Sequence, residues 1–136
     1  NNSDLSLDEL AASINLSRNA TWRRLKYFED NGYIKKRIAL LSSEHMGLDL
    51  TVFVSIRLNN HSADWLDNFR KIIHSMPEIT GAFRMSGDLD YLLRVIVADV
   101  KTYDLFYQRL TNRISISDIS ASFVMEQIKD THELPI

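Results

Sequence analysis

The stretch "SRNATWRRLKYFEDNGYIKKR" (Ser17–Arg37) gathers seven of the chain's sixteen Lys and Arg residues into twenty-one of its 136 positions. It also spaces its apolar residues as a packed helix does. Ser17 is a good N-cap, and "NG" at Asn31–Gly32 supplies a C-terminal stop. Trp22, Leu25 and Phe28, with Glu29, track one side and are expected to form its core. At about 100° per residue the opposite direction holds Asn19, Ala20, Arg23 and Tyr27, with Arg24 and Lys26 flanking. No acid falls between Ser17 and Phe28. Such a face is either an ordinary solvated surface or a contact with a polyanion, and its surroundings favour the second.

Upstream, "LSLDELAASINLS" (5–17) places Ser6 three residues before Glu9, a capping-box arrangement that predicts a short helix from near Leu7. Leu7, Leu10, Ala11 and Ile14 then share one face. A short helix, a tight break at Asn15–Leu16 and a second helix with cationic outer residues is the layout of a helix-turn-helix. Downstream, "YIKKRIAL" (33–40) reads as an extended, wing-like segment carrying further bases. A third supporting helix normally precedes such a pair, and "NNSDLS" is too short and polar to supply it. Leu10, Ile14 and Leu25 would then show bare apolar surface, so a further N-terminal helix is expected in the native protein.

The formal net charge of −2 conceals this asymmetry. Residues 1–16 carry three acids and no bases, residues 17–37 seven bases against Glu29 and Asp30, and residues 38–136 nine bases against thirteen acids. Phosphates feel nearby charge within a Debye length of roughly 8 Å at physiological salt, so the local block outweighs the acidic whole. There are no cysteines, and no apolar run approaches the roughly 18 residues of a membrane span. A cytoplasmic protein without a membrane partner is the expectation.

Beyond Ile38 the pattern changes. "SSEHMGLDL" (42–50) breaks an apolar run, with Gly47 a hinge. "TVFVSIRL" (51–58) alternates, with Val52, Val54, Ile56 and Leu58 on one face. "ADWLDNFRKIIHSM" (63–76) is an amphipathic helix that Pro77 stops. "ITGAFRMSG" and "DYLLRVIVA" are strands around "GDLD", "VKTYDLFYQRL" is a second helix, and "ISASFVMEQI" is a last strand alternating Ile119, Ala121, Phe123 and Met125. The fold class is α+β: a winged helix-turn-helix followed by a ferredoxin-like βαββαβ unit. The expected domains are 1–37 for DNA binding, 38–49 as linker strand and hinge, and 50–136 as the ferredoxin-like unit. Two helices cover only one face of such a sheet. The other, expected to carry Phe53, Val95 and Val97, would meet a second subunit.

With "MGL" at the hinge, "SGDLDYLLRV" (86–95) and "SFVMEQIKDTHELPI" (122–136), the whole chain resembles the Lrp/AsnC (leucine-responsive, feast/famine) family of bacterial and archaeal transcription regulators. The ending is especially similar to the subgroup that includes a cysteine-responsive activator. The resemblance implies dimers joined through the sheet domain, often assembled as octamers, and an amino acid effector bound between dimers. It places DNA-binding positions on Ser17, Arg18, Asn19, Thr21, Arg23, Arg24 and Lys26. Many relatives have proline near the start of this helix, where Arg18 and Ala20 stand. The effector loop falls on Gly87, Asp88, Leu89, Asp90 and Tyr91, with Met85, Ser120 and Ser122 as neighbours. Without the resemblance, "GDLD" reads as an ordinary hairpin turn.

Chemistry sharpens these assignments. Arg23 is placed for bidentate contact with guanine and Asn19 with adenine. Ser17, Lys35, Lys36 and Arg37 suit phosphates. His45, His61, His74 and His132 lack metal-ligand spacing, and Ser122 has no companion base, so neither a metal cofactor nor an enzyme is expected. Two readings compete. One is a sequence-specific DNA-binding transcription regulator that responds to an amino acid or related small effector, with double-stranded DNA and itself as partners. The other is an amino acid-binding ferredoxin-like module with nonspecific, architectural DNA binding.

Overall fold

A computed structural model describes residues 18–58 and 61–136. The helix expected from Leu7 and the N-cap Ser17 lie outside the described residues. The chain divides into two compact units, one of Asn1–Leu41 with Thr131–Ile136 and one of Ser42–Asp130.

In the first unit, helix α1 spans Arg18–Asp30. It has no glycine or proline inside it, and its end is closed in detail. Asn31 donates its backbone N–H and its side-chain amide to the Tyr27 carbonyl, at 3.0 and 2.9 Å. The Gly32 and Ile34 N–H groups reach the carbonyls of Glu29 and Phe28. Gly32 sits at φ +78°, a backbone state that a side chain would strain. The buried side of α1 differs from the expected one. Thr21 is only 1% exposed and Leu25 is half-buried, whereas Trp22 is 52% exposed and Phe28 is also exposed. Thr21 and Leu25 lie about 40° apart around the helix, and Trp22 is rotated about 100° from Thr21. The narrow inward stripe therefore takes the small residue and leaves the indole outside, with the Lys26 ammonium 5.7 Å from its ring centre. Ala20, expected on the outer face, is half-buried. Residues 34–41 form no strand, so the expected linker strand is absent among the described residues. Arg37 folds back onto Glu29 as an ion pair.

The second unit contains β1 (Leu50–Arg57), α2 (Ala63–Ser75), β2 (Ile79–Arg84), β3 (Tyr91–Val97), α3 (Val100–Arg113) and β4 (Asp118–Phe123). The sheet order is β2-β3-β1-β4 and every neighbouring pair is antiparallel, the ferredoxin-like arrangement. Ser62 caps α2 by accepting from the Trp65 N–H, and Asp99 caps α3 by accepting from Thr102. Both helices pack on one face, where Val52, Val54, Ile56, Leu93 and Val95 meet Phe69, Ile72, Phe106 and Leu110.

Val95 and Val97 belong to this covered face, not to the open one where sequence put them. The register pairs Val52 with Val95 and Leu50 with Val97, and directly paired residues point the same way. The uncovered face is instead built from Thr51, Phe53 and Ser55 of β1 and Leu92, Arg94 and Ile96 of β3, with Ser120 and Ser122 beside them on β4. Met125, expected to extend the last strand, lies beyond its end at Phe123 and is exposed.

One ion pair fastens α3 to the start of β2. Burial pushes the Glu78 carboxyl up, but its bonds to the Arg109 guanidinium and to backbone outweigh this and leave it below the ordinary 4.5. A depressed carboxylate adds stability above its unfolded pKa and loses it as pH falls through the folded one. Asp99, lowered by its hydrogen bonds to Thr102, acts in the same direction. Urea midpoints are therefore expected to fall below about pH 4.5, the ordinary glutamate value. Glu78→Gln should flatten that acid limb, and an unchanged limb would assign the effect elsewhere.

Candidate DNA and effector sites

With Thr21 at the origin, Lys26, Asn19 and Arg23 stand at about 140°, 160° and 200° around α1, opposite the buried stripe. All three are exposed, as are Arg18, Arg24, Lys35 and Lys36. The Arg23 Nε–H donates to the Asn19 backbone carbonyl at 3.4 Å, one turn earlier, which lays the guanidinium stem back along the helix. Lys26 lies 3.9 Å from the Asp30 carboxylate and over Trp22, a position suited to a phosphate rather than a base edge. Arg18 and Arg24 lie about 60° either side of Thr21, on the flanks of the buried stripe.

Thr21 must be removed from the DNA-contacting set. It is enclosed, and its hydroxyl finds no partner among the described residues. A threonine turned inward cannot reach a groove. The family resemblance, and not the helix periodicity, had counted it with its exposed neighbours.

The expected effector residues do not converge within one chain. Met85 and Asp90 close the β2–β3 hairpin, the Met85 N–H donating to the Asp90 carbonyl at 2.9 Å. Gly87 holds the tip at φ +101°, with Asp88 exposed beside it. Asp90 is committed to the fold: its N–H donates to the Ile56 carbonyl, and its Oδ2 accepts the Leu58 N–H at 2.7 Å. Tyr91 packs its ring 4.9 Å from Phe69 on the helix side. Ser120 and Ser122 pair with Ser55 and Phe53 on the opposite face. Two strand spacings of about 4.8 Å separate β4 from β3, so these serines stand roughly 10 Å across the sheet from the strand that follows the loop.

A cleft of about 490 Å³ runs between α2 and edge strand β2 and was not legible in the sequence. Phe69, Phe83 and Tyr91 give it apolar walls, while Arg70, His74 and Arg84 supply cationic and polar edges. Its chemistry suits a small carboxylate. Only the packing of α2 against β2 brings residues 70 and 84 together, so no local motif announces it. Among the described residues no group of three His, Asp or Glu is placed to hold a metal, and no helix is long and apolar enough to cross a membrane.

Comparison with known proteins agrees with this division of labour. Residues 51–134 match the model of the Lrp/AsnC ligand binding domain, and residues 1–35 match a winged helix-turn-helix DNA-binding model. The chain is 49% identical over 133 residues to the DNA-binding transcriptional activator DecR of Escherichia coli, covering 97% of this chain and 88% of that protein. It is 45% identical to the glutamate uptake regulatory protein of Zymomonas mobilis, covering 94% and 78%. Among solved structures, an AsnC family transcriptional regulator from Agrobacterium tumefaciens superposes with a TM-score of 0.91 at 47% identity, covering 98% of this chain and 87% of that one. A transcriptional regulator from Neisseria meningitidis, solved with L-methionine, gives 0.91 at 32% identity with the same coverage.

Proposed function

The chain belongs to the Lrp/AsnC family of DNA-binding transcription regulators, and we propose that it reads its operator with α1 and answers to an amino acid bound by its sheet unit. The observation that carries the DNA half is the exposure of Arg23 and Asn19 on the side of α1 opposite buried Thr21 and Leu25. Arg23 is assigned to a guanine edge and Asn19 to an adenine. Lys26, Lys35 and Lys36 hold phosphates, and Arg18 and Arg24 are placed with them at the groove walls. The protein acts in the cytoplasm as a dimer joined through the uncovered sheet face, and dimers assemble further, as an octamer of four dimers. Dimeric heads read pseudo-palindromic half-sites about 10 base pairs, or a multiple, apart.

The effector half rests on Asp88 at an exposed hairpin tip and on a cleft with two guanidinium groups at its rim. An α-amino acid offers an ammonium to the first and a carboxylate to the second. A second copy brings Ser120 and Ser122 of one chain toward the loop of another, which one chain alone does not do. Effector binding shifts the assembly only by its differential affinity for the assembled states.

Selection from a random DNA pool, followed by titration at one stated salt, tests the DNA assignment. Arg23→Ala is expected to lose about 1–3 kcal/mol of discrimination between selected and random duplexes, roughly tenfold to a hundredfold. Lys36→Ala should weaken both duplexes alike and lower the salt dependence by about one ion. Equal losses on both duplexes for Arg23→Ala would move Arg23 to the phosphates and favour architectural binding instead.

A further inference from the structure

Tyr27 follows Arg23 by one helical turn and leaves α1 on a neighbouring line of the same outer side. It is 57% exposed, and Tyr33, just beyond the helix end, is 74% exposed. Their rings stack at 6.5 Å with 21° between planes. Phe28 braces both edge-on, at 5.8 Å from Tyr27 and 5.9 Å from Tyr33. The chain reversal at Gly32 is what folds Tyr33 back onto the helix. The result is a small aromatic platform whose orientation is fixed before any partner arrives.

The charges around this platform identify its partner. Arg23 and Arg24 lie one turn before it, and Lys35 and Lys36 stand two and three residues after Tyr33. The two acids nearby each face a base, Glu29 with Arg37 and Asp30 with Lys26. A surface of exposed phenols ringed by cations suits a partner that is anionic, rich in hydrogen-bond acceptors, and apolar between its charges. A deoxyribose–phosphate strand has all three properties, with sugar faces for the rings and phosphate oxygens for the hydroxyls.

We propose that Tyr27 and Tyr33 form an uncharged contact with the DNA backbone that fixes the C-terminal end of α1 against the duplex. It rests on the reading of α1 as the DNA helix. The phenol O–H groups donate to phosphate oxygens, and the rings lie against the sugars. Both are positioning residues. They set the tilt of α1, and thereby where Arg23 meets a base edge.

The test exploits the absence of charge. A cationic contact releases condensed counterions and contributes about −0.9 to the slope of log K against log salt, whereas a neutral donor releases none. Tyr27→Phe, Tyr33→Phe and the double variant, made in the full chain, keep the stacked rings and remove only the hydroxyls. Each is measured on a duplex selected by the wild-type chain and on a random duplex of equal length, across a salt series. Each lost hydroxyl is expected to weaken binding roughly 3- to 10-fold at every salt, with the slope unchanged and the thermal midpoint retained. Lys36→Ala, measured in parallel, should change the slope. A double variant that binds both duplexes like wild type, while Arg23→Ala still loses discrimination, overturns this inference alone. A loss of binding matched by a fallen thermal midpoint assigns the pair to packing and overturns it as well. If Arg23→Ala is also without effect, the reading of α1 fails and takes this contact with it.

Discussion

Phe53→Lys is expected to leave the sheet unit folded and the protein monomeric. Phe53 sits mid-strand on the face that α2 and α3 leave uncovered, directly between Arg94 on β3 and Ser122 on β4. Arg94 is held there by hydrogen bonds from its guanidinium to Thr80, 3.0 Å to the hydroxyl and 2.9 Å to the carbonyl. Gly81 opposite makes the space: a Cβ there would stand 2.9 Å from the Phe83 ring and 3.2 Å from the Arg94 guanidinium. In a lone chain a lysine at 53 reaches water and faces one like charge, a modest cost. In a two-fold face-to-face dimer it is buried beside Arg94 and meets the symmetry-related pair of cations. An unpaired buried charge costs several kcal/mol, and symmetry doubles it. Dimer dissociation is therefore expected to strengthen by about a thousandfold or more, roughly 4 kcal/mol. Sedimentation of the variant should show monomers with wild-type far-ultraviolet dichroism. A dimer that persists at micromolar concentration would place the subunit interface elsewhere, and a glutamate at 53 is the weaker probe because Arg94 can pair with it.

How far these residues could be read in advance depends on whether the signal was local. Val52, Val54, Ile56 and Leu58 alternate cleanly, and residues 63–76 are spaced as an amphipathic helix that Pro77 ends, so the order of elements was legible from short windows. "YLLRVIV" was not, because Leu92, Leu93, Val95, Ile96 and Val97 are apolar on both faces. Only the pairing of Val95 with Val52 decides which set is covered. On α1 the expectation that aromatics mark the core failed for Trp22, because a helix with a narrow inward stripe buries the small Thr21 and lets the indole pair with Lys26. The outer cationic face survived that error, since Asn19 and Arg23 stand opposite either choice of core line. The effector residues were the hardest, because their partners are remote in sequence. Nothing near "GDLD" reveals that Asp90 receives the N–H of Leu58, or that Arg70 and Arg84 border one cleft.

That remote bond separates two aspartates that the sequence treats alike. Asp90→Ala removes the acceptor of the Leu58 N–H, a backbone donor on a residue only 8% exposed, and loosens the hairpin against the end of β1 while its backbone bond to Ile56 stays. A bond to a charged acceptor is worth about 1.5–3 kcal/mol. For a unit of this size that lowers the thermal midpoint by roughly 8–16 °C. Any loss of effector response in this variant follows from a displaced loop. Asp88 is exposed at the tip and makes no hydrogen bond among the described residues. Asp88→Ala should therefore change stability by less than about 0.5 kcal/mol while abolishing the heat of amino acid binding. Calorimetric titration with cysteine, methionine, glutamate and leucine, run beside thermal melts, reads both effects. Wild-type heats in Asp88→Ala would exclude the hairpin tip and move the ammonium site elsewhere. The cleft between α2 and β2 would then have to hold the effector through Arg70 and Arg84, and Arg84→Ala would become the decisive variant.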